Sequence, residues 1–330
     1  MLDAIFVAQK SVYWEMYIFE HDSSHAIDLV GALKKKAKEG VDVKIILDGF
    51  GSLYFPQNVA DDLTAAGAEI LFFNGWFRRV HRKILIIDQQ EVYLGGVNVG
   101  KAYHKWTDMH IMIKNSAIAE SLVRSFSHSY NLCGGQDKKL LEFRNKAIVR
   151  KTQVWLLDHF PSLGRYFLKE YYLEKMVRAK KTMVMTTPYF VPRAWLIRSL
   201  RAAASRGVKI DIIVPGDTDS KIMNIANNLF MSLVSNENIT FYLTSTMNHA
   251  KTILVDDSEG MVGSANLDSQ SFHFNNELGL TFRDKTMVAD LKKILDEWKR
   301  GAIIFNKNKM ALAWYYRPLE WIVRLISPVL

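Results

Sequence analysis

Two stretches of this 330-residue chain carry histidine, lysine, aspartate, glycine and asparagine at one spacing: HRKILIIDQQEVYLGGVN from His81 to Asn98 and HAKTILVDDSEGMVGSAN from His249 to Asn266. Both fit HxKxxxxDxxxxxxG[GS]xN, so His81, Lys83, Asp88, Gly95 and Asn98 correspond to His249, Lys251, Asp256, Gly263 and Asn266. Five fixed positions written twice in one chain are not an accident of composition. The residue types suit phosphate chemistry. An imidazole titrating near neutral pH can attack or exchange a proton, an ammonium neutralises anionic oxygens, and a carboxamide adds a neutral donor. The candidate phosphate-binding set is Lys83, Asn98, Lys251, Ser264 and Asn266, with Ser264 filling the small-residue position that Gly96 holds in the first copy.

Two further carboxylates follow the motifs at matching places. Asp108, in WTDMH, lies 27 residues after His81, and Glu277, in FNNEL, lies 28 after His249. Each is a candidate for the acid that hydrogen-bonds an imidazole Nδ1, fixes its tautomer and stabilises its cation. Either acid could serve either histidine. Asp88 and Asp256 are counted with the catalytic residues as members of the motif, although their position at a strand end points to fixing a turn.

The elements that must hold these residues are legible from periodicity. HRKILIID reads as a strand, on which side chains alternate faces, so His81 and Lys83 share one face with Leu85 and Ile87 while Asp88 has the opposite parity. This places the imidazoles on a solvent-facing wall. The Gly95-Gly96 pair lets the returning backbone approach closely. The repeat extends beyond the motifs: AKEGVDVKIILDG, ending at Gly49, matches SRGVKIDIIVPG, ending at Gly216, and KSVYWEMYIF from Lys10 matches KTMVMTTPYF from Lys181. Corresponding positions stay about 170 residues apart over roughly 120 residues, the spacing of a duplicated domain. Each copy alternates helix and strand before the motif strand and its return strand, which predicts a mixed, largely parallel sheet flanked by helices.

The expected organisation is a first domain at 1–135, a connection at 136–165, a second domain at 166–305 and an amphipathic tail at 306–330. Length agrees, at about 150 residues per domain. Cys133 is the only cysteine, which excludes an intrachain disulfide. His104 and His110 lack a convincing metal-ligand spacing with His81. GFGS at Gly49–Ser52 lacks the third glycine of a dinucleotide fingerprint and reads as a strand-end turn. No uninterrupted apolar run reaches the ~18 residues of a spanning helix. The net charge of +9 favours anionic partners, lipid headgroups or nucleic acid. In the tail, Trp314, Tyr315, Tyr316 and Trp321 mix with Arg, Leu and Ile, a composition suited to a membrane interface.

The duplicated motif closely resembles that of the phospholipase D superfamily. Within it, the chain looks most like the bacterial-type cardiolipin synthases, on EMYIF (Glu15–Phe19), ILDGFGS (Ile46–Ser52), the GGVN form of the first motif, TPYFVP (Thr187–Pro192) and GSANLDSQSFHFNNE (Gly263–Glu277). Two departures are expected to bear on headgroup preference and membrane attachment: Gln270 stands where an NLDxRS arginine is common, and the sequence as given opens after the N-terminal apolar anchors and first strand that many relatives carry.

This resemblance implies two phospholipase D-like α/β repeats related by a pseudo-twofold axis with one active site between them. It also implies phosphatidyl transfer without metal or cofactor, through a phosphatidyl-histidine. His81 is then the expected nucleophile and His249 the acid and base. Lys83, Lys251, Asn98 and Asn266 would hold the phosphate, and the superfamily's acid in each half supports Asp108 and Glu277. The implied partners are anionic phospholipids, phosphatidylglycerol and cardiolipin, met peripherally at the cytoplasmic face of the cell membrane, and not nucleic acid. A phospholipid hydrolase or a nuclease of the same fold would use the same residues, and a non-catalytic lipid-binding scaffold is the reading from another class.

Overall fold

The computed structural model describes residues 1–21, 27–145 and 153–306. From residue 307 onward the tail singled out from its aromatic and basic composition, including Trp314 to Trp321, lies outside the described residues. The chain divides into two compact units, Met1–His104 with His110–Leu156, and Lys105–Met109 with the chain from Leu157 onward.

The first unit contains α1 (Leu2–Val7), β1 (Ser11–Met16), α2 (Leu29–Lys38), β2 (Asp42–Asp48), α3 (Gln57–Ala65), β3 (Glu69–Phe73), β4 (Ile84–Ile87), β5 (Glu91–Gly95), β6 (His110–Lys114), α4 (Ser116–Leu132) and α5 (Lys138–Glu142). Its strands run in the order β3-β2-β1-β4-β5-β6. β1, β2 and β3 are parallel because α2 and α3 supply the crossovers, whereas the tight turn between β4 and β5 permits only an antiparallel pair. β1 is buried along its whole length because both of its faces are covered. Val12, Trp14 and Met16 join Val43, Ile45 and Leu47 of β2 in a core with α1, α2 and α3. On the other face Tyr13 stacks on Phe126 of α4, with ring centroids 5.3 Å apart. A strand covered twice needs the near-continuous apolar run that SVYWEM provides.

The second unit is entered along β7 (Val154–His159). It continues through α6 (Phe167–Arg178), β8 (Thr182–Thr186), β9 (Phe190–Val191), α7 (Ala194–Ser205), β10 (Lys209–Pro215), α8 (Lys221–Val234), β11 (Ile239–Thr244), β12 (Thr252–Val255), β13 (Glu259–Gly263), β14 (Leu267–Asp268), α9 (Ser269–His273), β15 (Glu277–Phe282), α10 (Lys285–Arg300) and β16 (Ile303–Ile304). Its main sheet runs β16-β11-β10-β8-β12-β13-β15-β7. The inner six strands repeat the order of the first unit, as the duplicated sequence requires.

Three findings modify the expectations. The motif strands pair antiparallel with their neighbours, whereas the three strands joined by helical crossovers in each main sheet pair parallel, as do the short strands β9 and β14. The segment expected to be a plain connection contains α5, which packs on α4, and β7, an edge strand of the second sheet. Lys105–Met109, placed by sequence inside the first domain, belongs to the second unit, where Thr107 exchanges backbone hydrogen bonds with Met247 (2.9 Å) and His249 (2.6 Å).

Candidate active site

The motif aspartates close tight turns. Gln90 N–H donates to Ile87 O at 3.0 Å across Asp88 and Gln89, both at positive φ (52° and 55°), and Ser258 does the same to Val255 across Asp256 and Asp257 (50° and 51°). Two left-handed central residues define a type I′ turn, which matches the twist of a hairpin and favours aspartate. Each carboxylate also gathers the backbone entering the neighbouring strand. Asp88 accepts from the N–H groups of Gln9, Lys10 and Ser11 at 2.9, 2.7 and 2.9 Å, and Asp256 from those of Lys180, Lys181 and Thr182 at the same distances. Burial opposes ionisation of Asp256, but these three donors outweigh it and hold its carboxyl below the usual range. Asp88 and Asp256 are therefore corrected from catalytic residues to braces. Their carboxylates are occupied by backbone donors next to β1 and β8.

The histidine and lysine of each motif lie just ahead of the strand proper, which begins at Ile84 and Thr252. The Lys83 ammonium donates to His81 O at 2.7 Å, and Lys251 donates to His249 O. The imidazoles are not on an open wall. His81 is 7% exposed and His249 4%, and Lys83 and Lys251 are buried as well. Tyr17 packs edge-on to His81 with centroids 4.6 Å apart and lies under the Lys83 ammonium at 4.9 Å, while Trp106 lies 5.2 Å from His249. Sequence reading missed Tyr17 and Trp106, although Tyr17 lies within EMYIF and Trp106 two residues before Asp108.

The acid for the second histidine is identified by geometry. Asp108 Oδ2 lies 2.7 Å from His249 Nδ1, and its Oδ1 accepts from Met109 N–H at 2.7 Å. Burial pushes the Asp108 carboxyl up, but the positive charges of His249 and Lys251 prevail and hold it down at about 2. An anion at Nδ1 keeps that proton in place and presents Nε2 to the reacting group. Glu277, the other candidate, is fully buried, with Ser264 Oγ donating to its Oε2 at 2.5 Å.

That bond corrects the role given to Ser264. Its hydroxyl also accepts from Leu278 N–H at 3.0 Å, so it fixes Glu277 and is not available to a phosphate. The neighbouring Gly263 is required by close approach, since a Cβ there would come within 2.5 Å of Leu278 O on β15. Asn98 and Asn266 remain buried, and among the described residues their Oδ1 atoms have no hydrogen-bond partner. Asp268, which sequence reading passed over within NLD, is pushed up to about 6 chiefly by burial and caps α9 by accepting from Ser271 N–H at 2.8 Å.

The first motif is braced from behind by a buried ion pair. Arg82 points away from His81 and Lys83, and its Nη2 lies 3.3 Å from Glu15 Oε2, with both side chains fully buried. Ser125 Oγ accepts from Arg82 at 2.7 Å and Ser129 Oγ donates to Glu15 at 2.8 Å. At the equivalent places the second motif has Ala250 and Thr186, whose hydroxyl pairs with that of Thr252 at 3.0 Å. Glu15→Gln should destabilise the protein by about 3–5 kcal/mol, because it strands a buried guanidinium, whereas the apolar double variant Glu15→Leu/Arg82→Met should recover most of the loss. Urea unfolding midpoints check both. Equal instability of the single and double variants would show that the network, not the stranded charge, is what matters.

Comparisons with known proteins bear on the family and the fold. A domain family described as "Cardiolipin synthase, PLD-like domain" matches residues 1–130 and 172–299. Two cardiolipin synthases of Clostridium perfringens are 32% and 35% identical to the chain, each covering 100% of it and 74% of the relative. The major cardiolipin synthase of Bacillus subtilis is 29% identical over 100% of this chain and 72% of its own. Among solved structures, phosphatidylserine synthase of Haemophilus influenzae Rd KW20 has the same fold, with a TM-score of 0.77 at 17% identity over 100% of this chain and 92% of that one.

Proposed function

The chain belongs to the phospholipase D-like domain family of the cardiolipin synthases, and from that premise we propose that it transfers a phosphatidyl group from one phosphatidylglycerol to a hydroxyl of a second, forming cardiolipin and releasing glycerol. The observation that carries this reading is the Asp108–His249 pair beside buried Lys251, an imidazole oriented for proton transfer next to a cation suited to phosphate. Neutral His81 attacks phosphorus through a ring nitrogen, the bond from phosphorus to the glycerol oxygen breaks, and protonated His249 gives its proton to that oxygen. In the second step the acceptor hydroxyl passes its proton to His249 as its oxygen bonds phosphorus, and the bond to His81 breaks. Lys83, Lys251, Asn98 and Asn266 hold the phosphate oxygens and offset charge that grows in the transition state.

Incubation with labelled phosphatidylglycerol in mixed micelles tests the reading. Cardiolipin and glycerol are the expected products, while phosphatidic acid in their place would make the protein a hydrolase. Side chains supply the nucleophile, the acid and the phosphate clamp in this mechanism, so turnover should survive excess EDTA. Loss on chelation that zinc or another divalent ion restores would refute it.

Among the described residues no helix is long and apolar enough to cross a membrane. The protein is proposed to meet its lipid substrates from the membrane surface on the cytoplasmic side, favoured by its net charge of +9.

A further inference from the structure

The loops that leave β2 and β3 carry side chains the mechanism does not use. These strands are parallel neighbours, Asp48 opposite Phe73, so both loops emerge at one end of the sheet, tied by Gly49 N–H donating to Phe73 O at 2.9 Å. The first presents Phe50, Leu53 and Tyr54, 65%, 66% and 85% exposed, and the second Trp76 and Phe77, 85% and 67% exposed. The Arg79 guanidinium lies 4.2 Å from the centre of the Phe50 ring and joins the loops, and Arg78 beside it is exposed. Single exposed apolar residues are ordinary, but five large ones on two adjoining loops mark an interaction surface.

We propose that this aromatic and basic rim is the face that docks on an anionic phospholipid bilayer, with Trp76, Phe77, Phe50 and Tyr54 entering the headgroup layer and the arginines pairing with lipid phosphates. Trp and Tyr beside cations are the composition that favours a bilayer–water interface. The second loop runs from Trp76 through Val80, whose N–H donates to buried Asp48 at 2.8 Å, directly into His81. Docking therefore brings the first motif to headgroup depth. The repeat provides an internal control: the equivalent loops of the second unit read GDTDS from Gly216 and STMN from Ser245, without an aromatic or basic residue and with Met247 as their one large apolar side chain. The rim belongs to the first copy and does not follow from the shared fold.

The proposal rests on a phospholipid substrate, and its test separates the two ideas. Sedimentation of the full chain with phosphatidylglycerol–phosphatidylcholine vesicles should show Trp76→Ser/Phe77→Ser binding at least tenfold more weakly than wild type. Turnover on phosphatidylglycerol dispersed in detergent should stay within about twofold. Arg78→Gln should weaken binding and flatten its dependence on salt, and brominated lipids should quench the wild-type emission missing from Trp76→Phe. Unchanged vesicle binding by the double variant overturns the docking face. So does loss of micellar turnover at an unchanged thermal midpoint, which would assign the rim to the substrate site. A dimer that the double variant loses while vesicle binding is unchanged would assign it to a second copy of the chain. Vesicle binding that depends on the rim, without turnover of wild type on any phospholipid, would instead remove the substrate reading and leave docking standing.

Discussion

His81→Asn and His249→Asn are each expected to reduce phosphatidyl transfer by at least about 10²–10⁴-fold, the range for loss of a general acid or base, with the nucleophile at the upper end or beyond. That range corresponds to about 3–5 kcal/mol of transition-state stabilisation. Asparagine keeps a polar side chain of similar reach but can neither form the phosphatidyl intermediate nor shuttle a proton. Neither histidine belongs to the two apolar cores, so thermal midpoints should fall little. Single-turnover assays with labelled phosphatidylglycerol would distinguish the roles. The nucleophile variant should yield no labelled protein, and the acid variant should yield it slowly or accumulate it. Near-wild-type turnover by either variant would end the two-histidine mechanism.

Asp108→Asn should lower turnover by about 10²–10⁴-fold with little change in substrate binding, since a carboxamide holds the ring but does not stabilise its cation. Its pH dependence distinguishes orientation from mere structure. Removing an anion 2.7 Å from Nδ1 lowers the affinity of His249 for its second proton, so the alkaline limb of the rate profile, where the acid is lost, should move to lower pH. A variant with reduced rate but an unmoved limb would make Asp108 only a structural residue. Stability gives a second readout. The folded carboxyl titrates at about 2, below its ordinary 3.8, so its contribution is present above pH 3.8 and is lost as pH falls toward 2. The shift corresponds to about 2 kcal/mol, and acid unfolding of the variant should lack that part of the pH dependence.

The duplicated motif and the order of helices and strands were legible because they rest on fixed spacings and on periodicity. Sequence located Asp108 and Glu277 by using one copy as a ruler for the other, but not the partner of Asp108, because pairing depends on which unit Lys105–Met109 joins. Ser264 was misassigned because a hydroxyl gives no sign of its acceptor, and Glu277 lies thirteen residues away in the chain. Asp88 and Asp256 showed their turn role through parity, yet only backbone angles showed that both central residues of each turn are left-handed. The exposed rim was illegible for another reason: reading GFGS as a strand-end turn does not say which way Phe50 faces, and only the fold leaves it and Trp76 outside.

Thr107 and Asp108 lie in the first copy by sequence and in the second unit by structure, an exchange confined to the five residues Lys105–Met109. A gene cut between the copies would therefore yield a second half with a complete HxK motif whose imidazole lacks its counter-ion. The same five residues make complementation possible in principle: a peptide spanning Lys105–Met109, supplied in trans to an isolated second half, would restore the missing carboxylate without restoring the first motif.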